Sequence, residues 1–144
     1  MHKSVKYALA LAAALLAGYV IYSYAADSPH IGPAGSTHIH MNWSVEINGV
    51  PVWLENPKYQ LRSELVHMED GTSQIHKHAT GVTMGFFLQT IGWSLSKDYL
   101  ELDDGSRYYA GNGKSLQFIV NGKPNYEYGR YDLRNGDVIG IIYG

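Results

Sequence analysis

The sequence predicts an α+β fold in which one main helix covers a mixed β-sheet, preceded by an N-terminal hydrophobic helix. Three observations support this prediction. Apolar and polar residues alternate in several short segments, Asn-Gly or Asp-Gly dipeptides occur six times after residue 47, and a single later segment has apolar residues at helical spacing. The 144 residues leave room for one domain.

The N-terminal segment has the pattern of an export signal. Lys3 and Lys6 precede an apolar run over residues 7–26, and small residues lie at Ser23 and Ala25. We expect residues 1–26 to be a signal peptide cleaved after Ala25 or an uncleaved membrane anchor, because 20 helical residues span about 30 Å, the thickness of a bilayer core. Both alternatives predict an exported protein, extracytoplasmic and either membrane-anchored or secreted.

The exported part is predicted to contain a linker and one domain. Residues 27–37 carry two prolines and two glycines without periodicity, which is typical of a linker. Residues 38–144 are predicted to form the extracytoplasmic domain. Removing residues 1–26 takes away two of 11 positive charges and none of 13 negative ones, so a net charge of −4 remains.

Strands are predicted where alternation is clear. Residues 38–47 place Ile39 and Met41 on one face and His38 and His40 on the other. Residues 138–143 are almost wholly apolar and predict a central strand covered on both faces. Other predicted strands are Val52 to Leu54, Leu65 to Met68, Gln74 to Ala79, Tyr99 to Leu102 and Leu116 to Val120.

One segment is predicted to be helical. Thr83 can cap a helix whose stripe consists of Met84, Phe87, Leu88 and Ile91, and Gly92 can end it. The stripe predicts packing against the sheet.

Histidine is the main chemical signal. Five of the seven histidines lie between positions 38 and 78, and four of them form two His-x-His pairs: His38, His40, His67, His76 and His78. On a strand, residues i and i+2 project from the same face about 6.5–7 Å apart, so two imidazoles can converge on one ion. These five are the predicted metal ligands, and copper or zinc is the predicted ion. A pH-responsive polar patch and a set of solvated histidines with no special role are the alternatives.

The order of importance within the cluster is also predictable. Burial of Ile39 and Met41 fixes the direction of His38 and His40, so this pair is expected to matter more to the metal than His76 and His78. Lys77 lies between the second pair and is expected on the opposite face.

Composition and missing motifs exclude several classes of function. The chain has no cysteine, a net charge of −2 and no basic block, which excludes thiolate chemistry and argues against a nucleic-acid partner. No hydrolase or nucleotide-binding motif is present. Glu64, Glu69 and Asp70 flank His67 and can accept imidazole N–H groups or act as a general base; an ordinary acidic turn is the alternative.

Three motifs carry a resemblance to a known group of proteins. They are THIHMNWSVEINGVPV at residues 37–52, IHKHATGVTMGFFLQTIGW at residues 75–93, and FIVNGKPN followed by LRNGDVIGIIYG at the C-terminus. The chain resembles small exported or membrane-anchored proteins of ammonia-oxidising archaea, which have more distant bacterial relatives. The last strand also looks like that of β-grasp domains, including sulfur carriers. The chain ends in Tyr143-Gly144 and not in the Gly-Gly of those carriers, so only the β-grasp-like fold is implied.

These observations predict an extracytoplasmic metal-binding protein for metal acquisition, buffering or delivery, and not an enzyme. One alternative is an accessory subunit that docks to a membrane or cell-surface complex through a tyrosine-rich second half, with Tyr108, Tyr109, Tyr126, Tyr128 and Tyr131. The other is a zinc enzyme in which three histidines leave a position for water.

Overall fold

The computed structural model describes residues 2–27 and 30–144, which have a mixed α+β architecture. Its two α-helices are α1, His2–Asp27, and α2, Met84–Thr90. Met1, Ser28 and Pro29 lie outside the described residues, so the predicted linker is described only in part. Within the described part of the chain, neither helix combines the length and the apolarity that crossing a bilayer requires.

The strands form one large mixed sheet and one small antiparallel sheet. The large sheet has the order β3-β4-β1-β10-β8-β9, with β2 paired to the end of β1, and the small sheet has the order β5-β6-β7. Strand β1 runs parallel to β10, and the other pairs are antiparallel. The strands are β1 Ile39–Ile47, β2 Val50–Pro51, β3 Val66–Met68, β4 Gln74–Lys77, β5 Ser94–Leu95, β6 Tyr99–Glu101, β7 Arg107–Tyr109, β8 Leu116–Val120, β9 Lys123–Pro124 and β10 Val138–Tyr143.

The core lies on one face of the large sheet. In β1, Met41, Trp43 and Val45 are buried, and the residues between them face outwards. Helix α2 packs on this buried face, where the Trp43 and Phe87 ring centroids are 5.1 Å apart. The Trp43 Nε1–H group also donates to Met68 Sδ, at 3.2 Å. Because the helix covers this face, the outward face of β1, β3 and β4 remains free to carry polar side chains.

The predicted helix is confirmed. Thr83 caps it, with its side-chain oxygen accepting a hydrogen bond from the Phe86 backbone N–H at 3.2 Å. Gly92, at φ +81°, follows the last turn in the left-handed region that glycine adopts without strain.

Several strand predictions hold and others are wrong. Strands β8 and β10 have the predicted bounds, and β1 begins one residue later than predicted. The predicted strand Val52 to Leu54 is absent, because the Asn48-Gly49 turn has positive φ at both residues and places the return strand directly after it, at Val50. Strands β5 and β7 were not predicted, because neither lies in a run of clearly alternating apolar and polar residues.

Strand β10 is central, as predicted, but it is not covered on both faces. Ile139 and Ile141 are buried in the core, whereas Val138 is 57% exposed on the opposite face. The apolar composition of β10 therefore does not reflect a second layer above the sheet.

The cap of α2 can be tested by mutation. Thr83→Ala leaves the Phe86 N–H without its side-chain partner, so we expect the free energy of unfolding to fall by about 1 kcal/mol. Urea denaturation of the full chain measures this change. Thr83→Ser keeps the hydroxyl and should retain most of the stability. Equal losses in both variants would contradict a capping role.

Candidate metal centre

Three of the predicted histidines form a row across the sheet. His40 on β1 lies opposite His76 on β4, and His76 lies opposite His67 on β3. The neighbouring row consists of Met41, Ile75 and Met68, all buried in the core. Because side chains alternate along a strand, burial of the apolar row directs the histidine row to the outer face.

The other two histidines lie just beyond the ends of β1 and β4. The His78 backbone N–H donates to the Leu65 carbonyl oxygen at 2.8 Å, and the His78 carbonyl oxygen accepts from the Gly35 N–H at 2.8 Å. The second contact joins residues 30–37, which were predicted to belong to the linker, to the backbone of His78. His38 directly precedes β1 and lies on the same face as His40.

All five predicted imidazoles are in one cluster, here called the histidine face: His38, His40, His67, His76 and His78. Ring-centroid distances are 4.8 Å for His38–His40, 4.4 Å for His40–His76, 4.9 Å for His67–His78 and 4.8 Å for His38–His78. The two pairs, separated by 35 residues in sequence, meet because β1 and β4 are neighbours in the sheet. His30, which was not predicted as a ligand, belongs to the segment that precedes His38.

Three members of this face lie close enough to hold one ion. One nitrogen from each of His38, His40 and His76 lies within 4.8 Å of the other two. A single ion can then lie within about 2.8 Å of all three, and shifts of about 0.7 Å per side chain would reach the 2.0–2.1 Å of a Zn–N bond. The His38 and His40 Nε2 atoms are 2.9 Å apart, which is a hydrogen-bond distance and is also close to the ~2.9 Å between two nitrogens at right angles around copper(II).

Two neighbouring groups orient His67 and His76. His67 Nδ1 lies 2.7 Å from the Ser63 carbonyl oxygen, which can only accept, so Nδ1 carries a proton. The Glu69 carboxylate lies between two imidazoles, with Oε2 3.4 Å from His67 Nε2 and Oε1 3.3 Å from His76 Nδ1. The sequence indicated Glu69, whereas the Ser63 carbonyl was missed because a backbone acceptor has no residue-type signal.

Burial keeps part of the face uncharged. Loss of solvent lowers the pKa of His76 and of His78 below the ordinary histidine range. Glu69 acts in the opposite direction on both groups, but the neighbouring imidazoles reinforce the effect of burial. Neutral imidazole is the form that binds a metal, so both residues remain competent ligands below the usual histidine pKa.

Lys77 lies on the core side of β4, as the alternation predicted. It is only 3% exposed, and its Nζ donates to Asp132 Oδ1 at 2.6 Å and to the Leu133 carbonyl oxygen at 2.8 Å. Its charge is therefore paired on the face opposite the histidines. The methionines near the histidines in sequence, Met41, Met68 and Met84, are likewise buried in the core.

No family model, curated protein or solved structure matches this chain. The archaeal resemblance therefore stays a prediction.

The lowered pKa values predict how stability depends on pH. Below pH 6.5, the unfolded chain binds protons at positions 76 and 78 that the folded chain does not bind. The metal-free protein should thus lose stability as the pH falls from about 6.5 towards the lowered folded-state pKa values. Urea denaturation at a series of pH values measures this slope. The double variant His76→Gln, His78→Gln should have a flatter profile in this window, and an unchanged slope would contradict the assignment.

Proposed function

We propose that this chain is an extracytoplasmic metal-binding protein that holds copper or zinc on the histidine face, for metal acquisition, buffering or delivery. The observation that carries the proposal is the convergence of His38, His40 and His76 nitrogens within 4.8 Å. His67 and His78 extend the same face.

The available donors favour copper(II) or zinc. Imidazole nitrogen suits both ions, and the chain has no cysteine. Copper(I) would favour thioether ligands, but Met41, Met68 and Met84 are buried on the other side of the sheet. By the usual affinity order of divalent ions, copper(II) should bind more tightly than zinc when both are free.

The extracytoplasmic location is proposed from the N-terminal sequence. Lys3 and Lys6 before the apolar run support a signal peptide or membrane anchor. The β-grasp-like fold is proposed in the same way. It is supported by the parallel pairing of β1 with β10 near the middle of a mixed sheet, with α2 on one face.

A zinc enzyme is the second candidate, and Glu69 is the observation that favours it. A carboxylate 3.3–3.4 Å from two imidazole nitrogens can serve as a general base beside a metal-bound water. A bound ion with an open coordination position next to Glu69 would favour this candidate, and a fully occupied coordination shell would favour binding or delivery.

Docking through the tyrosine-rich half has less support, because only some of these tyrosines are exposed. Tyr131 is buried and donates to Asp137 Oδ2 at 2.8 Å, and Tyr108 packs against Tyr143 with ring centroids 5.3 Å apart. Tyr109 and Tyr126 are 54% and 81% exposed.

Metal titration of the full chain tests the proposal. Isothermal calorimetry with copper(II) and with zinc should give tight binding to the parent protein. The double variant His38→Ala, His40→Ala should lose at least about 100-fold in metal affinity at this site, because two of the three ligands are removed. Loss of a group that only hydrogen-bonds to a ligand already costs 10–100-fold in affinity. The variant His76→Ala, His78→Ala should weaken the same binding.

A matched control separates the site from scattered histidines. His30→Ala removes an imidazole outside the histidine face and should bind copper and zinc like the parent protein. If the His38→Ala, His40→Ala variant bound both metals as tightly as the parent, the assignment of the site would be wrong.

A further inference from the structure

His67 has the environment of a metal ligand, although it lies outside the three-histidine group. Its Nδ1–H donates to the Ser63 carbonyl oxygen at 2.7 Å, which fixes both the tautomer and the ring orientation. Metal-binding histidines commonly hold a backbone carbonyl in this way with the nitrogen that does not bind the ion. Nε2 is consequently the nitrogen that His67 can offer.

The free nitrogen of His67 faces a carboxylate oxygen. Glu69 Oε2 lies 3.4 Å from His67 Nε2, and both atoms are electron-pair acceptors when imidazole is neutral and Glu69 is ionised. A cation placed between these two atoms would contact both of them. The separation also matches the ~3.3 Å between two ligands of a tetrahedral ion with bonds of 2.0–2.1 Å.

The His78 ring lies beside this pair. Its centroid is 4.9 Å from that of His67, so a rotation of the His78 side chain can bring one of its nitrogens to an ion bound there. The Glu69 side chain is 35% exposed, so an ion between Glu69 and His67 can also take a water ligand from solvent.

We propose that a second zinc-type divalent cation binds to His67 Nε2 and Glu69 Oε2, with His78 as third ligand and solvent water as fourth. This inference rests on the proposed function, in which His38, His40 and His76 hold the first ion. Two imidazoles and one carboxylate are a donor set that suits zinc. The histidine face would then be a two-ion centre.

The charges predict an order of binding. Two divalent cations on one face repel each other. The Glu69 carboxylate contacts the histidine face, and its negative charge offsets part of this repulsion. The second ion should therefore bind more weakly than the first and should depend strongly on Glu69. The first ion has three neutral ligands and should depend on Glu69 much less.

Zinc stoichiometry of the full chain tests the inference. Equilibrium dialysis against increasing zinc, followed by metal analysis, should give two ions per chain for the parent protein, the second with a dissociation constant at least tenfold higher than the first. His67→Ala should bind one ion with nearly parental affinity. Glu69→Gln should also bind one ion, with an affinity up to about 100-fold lower than that of the parent, because Glu69 contacts the ligand His76. His40→Ala should lose the tighter ion.

Controls keep the two proposals separate. Glu46→Gln removes a carboxylate from the same face of β1, six residues and about 20 Å along the strand from His40, and should still bind two ions. Circular dichroism should show that each variant is folded. One ion in the parent would overturn the second site and leave the proposed function intact. Two ions in a folded Glu69→Gln variant would overturn the ligand assignment, and no zinc in the parent would overturn both proposals.

Discussion

The register between β1, β3 and β4 is the constraint on which the histidine face depends. Met41, Ile75 and Met68 form one row across these strands and are buried together against α2, so their burial fixes which residues stand opposite each other. The next row, one residue along each strand, consists of His40, His76 and His67 and must point away from the core. A slip of one residue on any strand would expose an apolar side chain and bury an imidazole, which makes the apolar core the element that preorganises the polar cluster.

The electrostatics of the site follow from the same alternation. Positive charge on β4 is confined to the core side, where Lys77 is paired with Asp132. On the outer face, the imidazoles lie close to one another and partly out of solvent, and both effects lower the pKa of His76 and of His78. Clustering therefore disfavours protonation, while Glu69 contributes the negative charge that favours a cation. A face with these properties is better suited to a metal ion than to a proton.

The sequence predicted the elements better than it predicted their arrangement. Alternation in residues 38–47 correctly placed His38 and His40 opposite the apolar side chains, and the cap residue Thr83 correctly marked the start of α2. It did not establish that β4 lies between β1 and β3, because strand order depends on contacts between residues far apart in sequence. The short strands β5 and β7 were missed for a related reason: their positions are fixed by their pairing partners and not by a local pattern. The Ser63 carbonyl, which orients His67, has no signature in residue type at all.

The exposure of the ligands is relevant to the choice between a structural and an exchangeable metal site. The His67 and His76 side chains are 13% and 14% exposed, whereas His38 is an exposed residue at the start of β1. A structural zinc site typically encloses its ion with four protein ligands, and removal of the metal unfolds the protein. Here the sheet is held by its own apolar core, and the candidate ligands lie on the outer face with one of them open to solvent. An ion bound as proposed would enter and leave past His38 without disturbing the core, which is the property that acquisition and delivery of a metal require.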